Sequence, residues 1–126
     1  MRRVAIPISP RALNAAERAL LVHILSVEFA GAAELRSQIE QVEVTAIRTS
    51  HSVSVDFRVR EPLRRATALT NLVPVDAHVL DGAGEYLGEV LVWIEDGALA
   101  GLEYAWVTDD MPTRLPEIAS IRLRSN

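Results

Sequence analysis

The sequence predicts an α+β domain: an N-terminal helical hairpin packed on one face of a mostly antiparallel sheet of about five strands. Three observations carry this expectation. Helical periodicity is confined to the first third of the chain. Polar/apolar alternation begins near Val42 and recurs almost to the end. The cleanest alternating run has one wholly polar side, which belongs to a sheet with one wet face, and such sheets are antiparallel.

Asn14 followed by Glu17 has the capping-box spacing, in which the Asn side chain takes a backbone N–H of the first turn and the Glu reaches back. The helix it opens is expected over Ala15 to about Val27. Ala16, Leu20, Ile24 and Val27 make its apolar stripe, widened by Leu21 and Leu25. Gly31 ends it, because glycine enters the left-handed region without a Cβ clash. A second helix over Ala32–Ile39, with Leu35, Ile39 and Val42 along one edge, follows so closely that a helical hairpin is expected.

Strands follow. Val42, Val44 and Ala46 alternate with Glu43 and Thr45, and the turn Thr49-Ser50-His51 comes next. Ser52 to Arg60 then alternates strictly, placing Val53, Val55, Phe57 and Val59 toward the core. The segment from Glu61 to Asn71 reads as an irregular connection. Val73, Val75, Ala77 and Val79 resume the pattern, with Asp76 and His78 opposite. Pro74 cannot donate to a ladder, so this strand is expected to begin there or to lie at an edge. Asp81-Gly82-Ala83-Gly84 is a hairpin turn. Tyr86–Ile94 is apolar on both faces and reads as a central strand. After the turn Glu95-Asp96-Gly97, Ala98–Val107 returns with Leu102, Tyr104 and Trp106 on one side. In the tail, Ile118, Ile121 and Leu123 suit a last strand or a helical turn equally. The division is one domain over 1–126, with a helical part at about 10–41 and a strand part at about 42–124.

Composition narrows the function classes. The chain has 126 residues, 49% hydrophobic and 24% charged, enough to bury a core of its own. It holds no cysteine, which removes disulfides, cysteine–zinc sites, iron–sulfur clusters and thiol nucleophiles together. A net charge of −4 argues against nucleic acid, whose binders need a basic surface. The apolar run after Arg2 and Arg3 is too short for a secretory leader, and no stretch has the length of a membrane span; a cytoplasmic chain without membrane contact is expected.

No catalytic, metal-binding or cofactor pattern emerges. His23, His51 and His78 lack a ligand at helical spacing, although His51 and His78 are open to meeting across neighbouring strands. Ser50, Ser52 and Ser54 have no glycine-flanked elbow. Glu103, Asp109 and Asp110 read as solvated carboxylates near a strand end, as do Glu95 and Asp96 at a turn.

Leu13-Asn14-Ala15-Ala16-Glu17-Arg18-Ala19-Leu20-Leu21, Glu28-Phe29-Ala30-Gly31, Glu34-Leu35-Arg36-Ser37-Gln38, and Val90 to Gly97 leading into Leu102-Glu103-Tyr104 together resemble a group of small uncharacterised actinobacterial proteins. The resemblance spans most of the chain in order. It implies a bacterial cytosolic protein and supplies no activity. Members often carry cysteines and glycines where this chain has Thr49-Ser50-His51-Ser52, so no role for that turn carries over.

The leading expectation is a non-enzymatic protein-binding domain, in one form an immunity-type protein masking a toxin. Trp93, Tyr104 and Trp106 would form an aromatic patch on an uncovered sheet face, beside Asp109 and Asp110, with no cofactor and no metal. The alternative is a small-molecule binder or enzyme with a pocket between helices and sheet, drawing polar contacts from His23, His51, Tyr104 and the Asp109–Asp110 pair. A homodimer burying the aromatic face against its own copy is the third reading.

Overall fold

Alternating sequence builds seven strands here, two more than expected. The computed structural model describes residues 5–126, so Met1 to Val4, which entered the leader reading, lie outside the described residues. The strands are β1 (Ile6–Ala12), β2 (Val42–Ile47), β3 (Val55–Val59), β4 (Val75–Leu80), β5 (Tyr86–Glu95), β6 (Ala98–Trp106) and β7 (Ile121–Ser125). The helices are α1 (Ala15–Ile24) and α2 (Ala32–Gln38). All strands join one antiparallel sheet in the order β1-β2-β3-β6-β5-β4-β7.

Both unexpected strands are edges. β1 contains Pro7 and Pro10, residues that a ladder tolerates only where one side is unpaired. It falls within the part expected to lead only into helix, so the boundary near residue 10 is corrected. β7 follows a single 3-10 turn at Ile118–Ser120, so the tail is both of the alternatives, in succession. Because β7 pairs with β4, β4 is internal and Pro74 marks its start. β5 lies between β6 and β4, as its two apolar faces require.

Asn14 Oδ1 accepts the Glu17 N–H at 2.8 Å and Glu17 Oε1 accepts the Asn14 N–H at 2.9 Å, the expected capping box. Glu17 is itself buried and takes both guanidinium nitrogens of Arg11, at 2.8 and 2.9 Å. The pair fastens α1 to β1. α1 ends at Ile24, earlier than the apolar stripe implies, and α2 passes into a 3-10 turn at Ile39–Gln41. α2 packs against β6, and α1 against the two 3-10 turns, so the helices are tied to the sheet and its connections more than to each other as a hairpin.

Leu20, Leu21, Ile24 and Leu35 from the helices meet Val44, Val55, Val92 and Leu102 from the strands in one core. Val55 and Phe57 are 2% and 8% exposed, on the dry side as their alternation demands. Each such side chain contributes about 1.5–3 kcal/mol by leaving water. Gln38 is buried among them with its amide satisfied: Nε2 donates to the carbonyls of Arg64 and Gly97, and Oε1 accepts the Leu99 N–H. Two segments, the connection at Arg64 and the start of β6, are thereby pinned to one side chain.

Candidate binding face

The helices occupy one side of the sheet. Alternation turns Asp56 of β3, Glu103 of β6, Leu91 and Trp93 of β5, and Asp76 and His78 of β4 toward the other side. The ladders set their neighbours. Asp56 stands opposite Gly101, Gly101 opposite Trp93, and Glu103 opposite Leu91.

Arg48, just past β2, reaches over this face. Its Nε donates to Asp56 Oδ1 at 2.7 Å, and its Nη1 lies 3.4 Å from Glu103 Oε1. The Trp93 indole N–H donates to the same Glu103 oxygen at 2.9 Å. The side chains of Arg48 and Glu103 are only 12% and 10% exposed. Gly101 makes room beneath: a Cβ there would lie 2.9 Å from Arg48 Nη2 and 3.0 Å from the Val55 carbonyl. A charged pair with little water access has a fixed geometry, and it holds the indole at a set angle on the surface.

The expected aromatic patch is split. Trp93 lies on this open face and is half-buried. Tyr104 lies on the helix side, 7% exposed within the core. Burial raises its phenol above the usual tyrosine value, because the anion would be left with too little water. Trp106 shares the alternation of Tyr104 and stands 37% exposed at the end of β6. Trp93 and Tyr104 therefore cannot serve one surface. Asp109 and Asp110 are exposed in the segment after β6, while Glu95 and Asp96 are exposed at its opposite end. Glu103 does not belong with these solvated acids; it is buried by Arg48 and Trp93.

The other expected groupings also separate. His51 occupies a left-handed position (φ 62°) in the turn before β3, and β6 and β5 lie between β3 and β4, so His51 and His78 are not on neighbouring strands. Strand β3 begins only at Val55. The Ser54 hydroxyl is buried and accepts the Tyr104 N–H at 2.9 Å, so it works as a backbone fastener. A cleft of about 400 Å³ beside the start of α1 is lined by Arg11, Glu17, Ile47, Val55, Arg114 and Leu115, among others. None of His23, His51, Tyr104, Asp109 or Asp110 lines it.

Sequence reasoning missed Arg48 as the shared partner of Asp56 and Glu103, since 55 residues separate Arg48 from Glu103. It also missed a convergence of Asp76, His78 and Glu89, whose ligand-type atoms all lie within 4.8 Å of one another. Two residues apart on a strand is the signal that finds the first two, and the register His78 opposite Glu89 supplies the third.

Comparison with protein-family models, curated proteins and solved structures finds no match. Among the described residues, no helix is long and apolar enough to cross a membrane.

Proposed function

We propose that this chain is a non-enzymatic protein-binding domain that presents the helix-free sheet face, centred on Trp93, to a protein partner. One observation carries the reading: a half-buried indole on an open face is held by a nearly buried Arg48–Glu103 pair. A side chain fixed before contact loses little rotamer freedom on binding, and tryptophan is among the residues that dominate contact energies. Asp109, Asp110, Glu95 and Asp96 are exposed at the two ends of β6 and favour capture of a basic partner. In its concrete form the domain masks a toxin, with Trp93 as the anchor and Asp109 and Asp110 as steering charges. Tyr104 acts from below as core, and Trp106 stands apart from the anchor.

Capture experiments test this. Tagged wild-type chain and Trp93→Arg, both shown to be folded by circular dichroism, are incubated with extract of the native host at moderate salt. A partner retained in stoichiometric amount by the wild type and lost from Trp93→Arg supports the proposal. No such partner, or one held equally by both, contradicts it.

A further inference from the structure

A second feature of the open face lies away from Trp93 and is independent of the protein-binding reading. Asp76 and His78 are two apart on β4, so both project from the same side, and Glu89 of β5 stands directly opposite His78. His78 Nε2 and Glu89 Oε2 are 3.9 Å apart, too far for a hydrogen bond. That gap suits an ion instead. Two ligand atoms each about 2.1 Å from one metal lie roughly 3–4 Å from each other.

Two contacts orient these side chains beside the arginines of β7. β7 brings Arg124 opposite Asp76 and Arg122 opposite His78. Among the described residues, neither arginine forms an ion pair with Asp76 or Glu89. Asp76 Oδ1 accepts the Asn126 side-chain amide at 2.6 Å, which orients the carboxylate as an outer partner does around a metal ligand. The Tyr86 ring meets His78 edge-on with centroids 5.2 Å apart and holds the imidazole plane. Two carboxylates and an imidazole thus converge on hydrogen-bonded strands.

We propose that Asp76, His78 and Glu89 form a binding site for one divalent transition-metal ion of the zinc class. The imidazole nitrogen selects against magnesium and calcium, which prefer oxygen alone. Three protein ligands leave the ion a position open to water or to a group from a bound molecule.

The test is isothermal titration of untagged, chelator-treated chain with zinc chloride, repeated with magnesium chloride. The expected result is one zinc per chain and no magnesium heat at the same concentrations. His78→Ala and Glu89→Gln should each weaken zinc binding by about tenfold or more, while His51→Ala and His23→Ala leave it unchanged. Each variant is checked for folding by its thermal transition. If His78→Ala does not fold, Glu89→Gln and Asp76→Asn, which keep shape and remove charge, decide the matter. No zinc heat, or zinc binding unaffected by the folded variants at these positions, overturns the proposal.

Discussion

The indole N–H of Trp93 and the Nη1 of Arg48 share a single oxygen of Glu103, at 2.9 and 3.4 Å. Trp93 and Glu103 come from the two strands of one hairpin, and Arg48 comes from beyond β2 at the other side of the sheet's centre. Glu103→Ala removes the acceptor and leaves Arg48, itself only 12% exposed, with Asp56 alone. The expected loss is about 1–3 kcal/mol in urea unfolding. Trp93 fluorescence should shift as its hydrogen bond disappears. An unchanged midpoint would mean that Glu103 is replaced by water without cost.

Gly101 and Gly88 support the same hairpin differently. At Gly101 an added Cβ meets the guanidinium of Arg48 and one backbone carbonyl, so Gly101→Ala should cost about 1–3 kcal/mol and loosen the Arg48 pairing. At Gly88 the backbone has φ 150°, and a Cβ would sit 2.3 Å from the Ala105 carbonyl oxygen. Gly88→Ala should cost more than Gly101→Ala, beyond about 3 kcal/mol. Paired chemical denaturation checks the order.

Glu17 is buried while serving both a helix cap and an ion pair with Arg11. Glu17→Ala should lower stability by about 1–2 kcal/mol, the loss of a cap, because Arg11, 40% exposed, can turn to water. Arg11→Ala instead leaves the buried Glu17 carboxylate without its cation, so it should cost more, about 2–4 kcal/mol. Thermal unfolding of the two variants side by side gives the comparison.

Burial raises the Tyr104 phenol above the ordinary value of 10.0. Below that pH the group is neutral in both folded and unfolded chains, and its contribution is fully present. Above it the unfolded chain ionises first, so stability is lost as pH climbs from the unfolded toward the folded value. Tyr86 contributes in the same direction, through burial and the nearby Glu89 and Asp76 charges. Tyr104→Phe should therefore show a shallower fall in urea midpoint as pH rises past 10.0 than the wild type. Identical slopes would contradict the burial of this ring.

The elements with one wet face were legible because half-buried strands write their orientation into every second residue, and Val55, Phe57, Val75, Ala77 and Val79 all fall where alternation puts them. β1 was not legible: Pro7 and Pro10 disguise it, and an edge strand buries too little to need a regular pattern. β7 offers only Ile121 and Leu123, each half-buried. The site was harder still. Whether Trp93 and Tyr104 share a face follows from β5–β6 register, where Tyr104 pairs with Val90 and Glu103 with Leu91. The Arg48–Glu103 contact depends on β6 entering between β3 and β5, a topological choice that no local pattern states.

The central claim, one helix-covered face and one open face, is tested most directly by thiol reactivity on a chain with no native cysteine. Leu91 and Val92 are consecutive on β5 and point to opposite sides. Leu91→Cys should react with a small thiol reagent in native buffer at a rate near that of the unfolded chain. Val92→Cys should react only as fast as the protein unfolds. Equal rates at the two positions, or protection of both, would contradict the account.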